Sequence, residues 1–308
     1  MITAGHEVVT TLDAEPEIAL LRARLDSWLT AADPELQEAL GWALAGRPKH
    51  YRPLTVFCCR RAVGAPVTDQ TVELAFAVEL VHNMTLVIDD VLDGSPDRRG
   101  VATLQRRFGT LPALMAAGYL AADAFSASAE DPFAVAHLAE LMRRLGSAEC
   151  MQWRLRRQPL GVSDWQRIAG EDTGSMFEVC AVLGAGSERL RRYGHLLGVL
   201  YHGCDDVADL RGLEALGGGG DEDVRDGILT LPAALAIRDP EIRELFVRDD
   251  ADERRLAQLA AAYRDQLGEA EAVLERIADS AREEARQFAV DPKQLLTLVE
   301  HVRALSRQ

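Results

Sequence analysis

The chain has 308 residues, 48% hydrophobic and 27% charged, with 49 acidic against 34 basic residues and a net charge of −15. So apolar a chain can bury a substantial core, which excludes a disordered protein, and so acidic a balance excludes a nucleic-acid partner, because phosphate backbones are bound by basic faces. Five cysteines without Cys-x-x-Cys spacing argue against a disulfide framework and for small core side chains in a reducing, cytoplasmic compartment. The opening "MITAGHEVVTTLDAEPE" lacks a charged start followed by an apolar core, and no window holds about 18 uninterrupted apolar residues, so stable membrane insertion is not expected.

In chain order, the near-3.6 apolar spacing of "EPEIALLRARLDSWLTAA" predicts a helix over 15–32. A break at "GRPKHYRP", 46–53, carries Lys49, His50 and Arg52 just before an apolar helix, which reads either as an anion pocket or as ordinary surface charge at a helix start. Next, "LVHNMTLVIDDVLDGSPDRRG", 80–100, runs an apolar stretch into Asp89, Asp90 and Asp93 and then into two arginines. On a helix His82, Leu86, Asp89 and Asp93 share a face, so two carboxylates one turn apart point the same way. One such step could be no more than a solvated helix end. Breaks at 128–132 and 157–164 follow, and then "YHGCDDVADLRG" repeats the pattern with Asp205, Asp206 and Asp209 after the apolar "YGHLLGVL". The stretch "LGGGGDEDVRDG", 216–227, lacks the Lys and Ser/Thr of a phosphate-binding loop and reads as a flexible lid or plain connector. A long helical pattern over 252–288 closes the survey, for about ten helices, few strands and one all-α domain over 1–308.

Two aspartate steps, each emerging from an otherwise apolar helix, suit hard divalent cations bound through oxygen. Mg²⁺ fits best, with Mn²⁺ as a substitute, because it combines few carboxylates with waters and phosphate oxygens, so a phosphorylated substrate would complete the shell. Arg98 and Arg99 then make sense as guanidinium groups for phosphate oxygens.

Together these segments resemble the trans-isoprenyl diphosphate synthases, or polyprenyl synthetases. "GRPKHYRPL" is similar to that family's GGKRLRPLL, "HNMTLVIDDVLDGSPDRRGVATLQRRFG" to its HxxSLxxDDxxDxxxxRRGxPTxHxxFG, "DDVAD" to its second aspartate motif, and "DGILTLP" to its EGKxTLP. The resemblance implies an isoprenoid-synthase helical bundle around a central cavity, usually a homodimer. In it Asp89, Asp90, Asp93, Asp205, Asp206 and Asp209 would hold up to three Mg²⁺ on an allylic diphosphate. Lys49, Arg52, His82 and Arg99 would bind isopentenyl diphosphate, with Arg98 on the allylic side; Thr173 and His202 are further candidates for substrate binding. Met84 and Thr85, in the positions where large aromatic residues shorten the product, imply products of C20 or more.

The departures cluster on the allylic side. Asp172 stands where the family has Lys before Thr173, Ile228 replaces the Lys of GKxTLP, Tyr201-His202 replaces Phe-Gln, Ala117-Gly118 replaces Gly-Asp, and His50 replaces an Arg. A Lys-to-Asp change reverses the local charge, so Asp172→Lys is expected to tighten the allylic substrate or raise turnover. Three readings follow: a prenyl diphosphate synthase with an altered allylic site, a terpene cyclase on the same scaffold, or a weakly active partner subunit of a synthase.

Overall fold

The computed structural model describes residues 4–45, 49–98, 101–212, 220–250 and 252–307. In chain order the helices are α1 (Ala4–Thr11), α2 (Glu15–Ala31), α3 (Gln37–Leu44), α4 (Tyr51–Ala62), α5 (Asp69–Asp93), α6 (Leu104–Phe108), α7 (Thr110–Ala127), α8 (Pro132–Leu155), α9 (Val162–Ala169), α10 (Ser175–Ala185), α11 (Arg191–Leu210), α12 (Gly220–Asp226), α13 (Leu231–Ala236), α14 (Pro240–Phe246), α15 (Glu253–Asp265), α16 (Leu267–Phe288) and α17 (Lys293–Ala304). The all-α expectation holds. Seventeen helices among the described residues replace the expected ten or so, because the long pattern over 252–288 breaks at Gln266 and short helices fill stretches read as loops. The 216–227 connector is one of these: its described end forms α12, while most of its glycine run lies outside the described residues. The two strands, β1 (Asp97–Arg98) and β2 (Val101–Ala102), form a small antiparallel hairpin.

The chain divides into two compact units, 1–139 with 180–188 and 140–179 with 189–308, the divisions falling inside α8, inside α10 and between α10 and α11. At the centre of the first unit is α5. A capping box between Thr68 and Thr71 starts it, no Gly or Pro interrupts it, and Gly94 at φ 64° ends it. Phe76, Ala77, Val78, Leu80 and Val81 are buried against α2, α4 and α7, each large side chain contributing roughly 1.5–3 kcal/mol. By length and mean hydropathy α5 does reach what a membrane crossing needs, although not as an uninterrupted apolar run, and 67% of that stretch is packed inside the protein. Trp28 on α2 donates to Asp123 on α7 at 2.5 Å.

In the second unit α11 is the central helix. It packs on α9, α13, α16 and α17, burying Leu197, Val199, Leu200 and Val207, and the Tyr193 hydroxyl donates to the Leu295 carbonyl at 2.9 Å. Between α9 and α10 the chain takes one π-helical turn, Gly170–Gly174. Its approach to α11 is so close that a Cβ on Gly198 would lie 2.6 Å from the Thr173 carbonyl oxygen. Beside this turn the buried Glu178 carboxylate accepts from Arg144 at 3.0 Å and pairs with Arg191. Burial alone would raise its pKa, but His195, Arg144 and Arg191 outweigh burial and hold it below the ordinary value.

Candidate active site

In the first unit, α4 and α5 bring two of the basic residues of the sequence analysis, Arg52 and His82, together. Arg52, on the first turn of α4, places a guanidinium nitrogen 3.1 Å from His82 Nε2 on α5. One turn before His82 is the buried Glu79, whose pKa is raised by burial against the opposing pull of Arg52 and Asn83. Lys49 is half-buried at the start of α4, and His50 caps that helix in the left-handed conformation at φ 58°. Burial, and then the charge of Arg22, push His50 down to about 4, so its ring is neutral at pH 7 where the family pattern has a cation.

The aspartates at the end of α5 divide by environment. Asp89 is half-buried and Asp93 exposed, whereas Asp90 is buried and forms a 2.8 Å ion pair with Arg98 of β1. Burial raises the Asp90 pKa, with Arg98 opposing and Asp93 adding to the rise. Gln105 on α6 donates to the Asp90 carbonyl at 2.5 Å, tying the hairpin and α6 to the helix end. Arg98 therefore serves as the Asp90 counter-ion, and Arg99 lies outside the described residues. Met84 is buried, and the half-buried Thr85 donates its hydroxyl to the His82 carbonyl at 2.8 Å.

In the second unit the end of α11 carries the other acidic cluster. Asp206 Oδ2 accepts from Trp165 Nε1 and from the Leu231 backbone N–H, both at 2.8 Å, joining α9 and the start of α13 to α11. His202, one turn earlier, lies 3.8 Å from Asp206 Oδ1, 3.4 Å from Asp172 Oδ2 and 3.0 Å from Thr173 Oγ1. Burial would lower its pKa, but Asp206, Asp172 and Asp205 outweigh that and raise it to about 9, so the ring is an imidazolium. Its Nδ1–H donates to Thr173 Oγ1, whose hydroxyl donates to Asp172 at 3.0 Å. A cation thus stands beside Asp172 after all, on the neighbouring helix.

Sequence reasoning passed over Asp223 on α12. Burial pushes its carboxyl well above the ordinary range, and the charges of Asp206, Asp209 and Asp205 push it further. The signal was present in "DEDVRDG", but the glycine run before it made the stretch read as a connector. Asp205, Asp206, Asp209 and Asp223 offer hard carboxyl oxygens of the kind a divalent cation binds, and a bound cation would offset the repulsion that keeps the Asp223 proton in place. Among the described residues no three such side chains form a ready-made metal cage.

The fold is all-helical, with two acidic helix ends and basic side chains at the start of α4, and comparison with known proteins makes the class specific. The polyprenyl synthetase family model matches residues 33–263, and the chain belongs to that family. It is 26% identical to octaprenyl diphosphate synthase of Haemophilus influenzae, covering 95% of this chain and 92% of that one. Against geranylgeranyl pyrophosphate synthase of Geoglobus acetivorans it is 28% identical, covering 91% and 90%. A solved polyprenyl synthase of Caulobacter crescentus, complexed with calcium and isoprenyl diphosphate, superposes with a TM-score of 0.86 at 26% identity over 100% of this chain and 99% of that one.

Proposed function

We propose that the protein is a trans-prenyltransferase that condenses an allylic isoprenoid diphosphate with isopentenyl diphosphate. The observation that carries this reading is on α5: His82, paired with Arg52, and Asp89 are seven residues apart, on one face and about 10 Å apart along the axis. Two diphosphates fit side by side at that spacing, one bound directly by Lys49, Arg52 and His82, the other through cations at the aspartates. Mg²⁺, or Mn²⁺ in its place, would neutralise charge on a departing diphosphate; Asp89 and Asp93 in the first unit, and separately Asp205 and Asp209 with Asp223 in the second, are the residues proposed to hold such cations.

The allylic carbon–oxygen bond breaks, the alkene of isopentenyl diphosphate forms the new carbon–carbon bond, and one proton leaves with the released diphosphate. No nucleophilic side chain is needed. What the protein supplies is orientation of two diphosphates and a dry apolar face along α5 for the tail. With Met84 buried and Thr85 hydrogen-bonded back to its own helix, neither presents an aromatic barrier, and C20 or longer products are proposed.

A homodimer is proposed from the apolar row Leu111, Leu114 and Met115 on α7, exposed to 70%, 42% and 51%. A cytoplasmic location is proposed from five free thiols, four of them buried. Mass spectrometry of products from geranyl, farnesyl and geranylgeranyl diphosphates, with and without isopentenyl diphosphate, tests the function. Elongated diphosphates support it; hydrocarbons or terpene alcohols formed without isopentenyl diphosphate would assign a cyclase instead. Thr85→Phe in the same assay should shorten the product.

A further inference from the structure

Arg157, two residues past the end of α8, has φ 58°, a left-handed conformation that a non-glycine residue holds only where its surroundings enforce it. The enforcing contacts come from two other segments of the second unit. Its backbone N–H donates to the Gly227 carbonyl at 2.9 Å, and its guanidinium donates to the Arg225 carbonyl at 2.9 Å. The same guanidinium donates to the Arg248 carbonyl at 3.2 Å and pairs with Asp249 at 3.0 Å. Gly227, itself at φ 68°, is packed so tightly here that a Cβ would meet Arg157 Cγ at 2.5 Å. Arg156 lies over the Trp153 ring at 3.8 Å and faces Asp226 at 3.9 Å.

The residues so gripped end α12, a helix of seven residues, too short to persist without tertiary ties. Asp223 is on α12, and its carbonyl accepts from Ile228 N–H at 3.0 Å, which links it to the segment beside Gly227. Farther on, Leu231 is fixed by Asp206 at 2.8 Å. The stretch between is thus tied at two points, Asp206 at its far end and Arg157 at its near end.

We infer that Arg157 is a positioning residue that holds α12 so that the Asp223 carboxylate joins Asp205, Asp206 and Asp209, and so sets the affinity of that cluster for a divalent cation. The inference rests on the proposed place of Asp223 in the cation site. A guanidinium suits the task because its planar fork reaches two carbonyls and a carboxylate at once, which an ammonium cannot reproduce.

The test is Mn²⁺ binding in the presence of inorganic diphosphate, followed by electron paramagnetic resonance on the full chain, for wild type, Asp223→Asn, Arg157→Ala and the double variant. Asp223→Asn is expected to weaken binding about tenfold, Arg157→Ala by a similar factor, and the double variant by no more than Asp223→Asn alone, since both remove the same carboxylate. Arg157→Lys, which keeps the pair with Asp249, should fall between wild type and Arg157→Ala, and it decides the matter should Arg157→Ala melt below the assay temperature. Unchanged binding in Asp223→Asn would overturn the assignment of Asp223 to the site. A loss in Asp223→Asn with none in the Arg157 variants, or effects that multiply in the double variant, would overturn the role of Arg157.

Discussion

Asp206 belongs by sequence to the second aspartate triplet, yet one of its oxygens already accepts from Trp165 and Leu231. Both partners are at least 25 residues away along the chain, so no reading of "DDVAD" alone could separate Asp206 from its neighbours. His202 carries a second such lesson. The sequence shows Asp172 as a lost cation; the fold puts an imidazolium 3.4 Å from it. Asp172→Lys therefore places two cations together, and the structure reverses the sequence-based expectation: the single variant should lose turnover and melt at lower temperature. Asp172→Lys with His202→Gln should regain both, and steady-state kinetics against the allylic substrate check it. His50 gives a pH prediction. Its folded pKa of about 4 is below the ordinary 6.5, so only the unfolded chain takes up a proton as pH falls between these values. The stability present above pH 6.5 is lost toward pH 4, by at most on the order of 3 kcal/mol. Melting temperatures from pH 7.5 to 4.5 should fall less steeply in His50→Asn, a residue that tolerates the left-handed backbone.

At the scale of elements, the apolar helices ending in aspartate were legible because period 3.6 and a terminal charge cluster are local signals. The π-helical turn Gly170–Gly174 was not, since it exists through close packing on α11. A glycine of α11 permits that approach: a Cβ on Gly198 would press into the Thr173 carbonyl and lie 2.7 Å from Gly174 Cα, backbone atoms that cannot rotate away. Gly198→Ala should push Thr173 and Asp172 away from His202, costing roughly 1–3 kcal/mol and reducing turnover. Gly146, on α8, is the control, because an added methyl there would meet nothing within 4 Å: Gly146→Ala should stabilise by about 0.5–1 kcal/mol. Chemical denaturation of the two variants side by side reads both signs. The helix α12 escaped notice for a related reason, as its ties to Arg157 join residues 68 positions apart.

For the molecule as a whole, the all-α class and the family were readable from four ordered motifs, whereas the division into two compact units was not, because no linker marks it. The proposed dimer is testable at this scale. Leu114→Glu on the exposed row of α7 should convert a dimer to a monomer in sedimentation velocity, while a monomeric wild type would remove that proposal. The reaction itself is tested most directly by incorporation of labelled isopentenyl diphosphate into farnesyl diphosphate, for wild type, Asp89→Ala and Asp205→Ala, with Mg²⁺ and with a chelator. An elongated diphosphate is expected from wild type only with the cation, with a fall of about a hundredfold or more in each variant. Full turnover in the chelator, or undiminished turnover by either variant, would contradict this expectation.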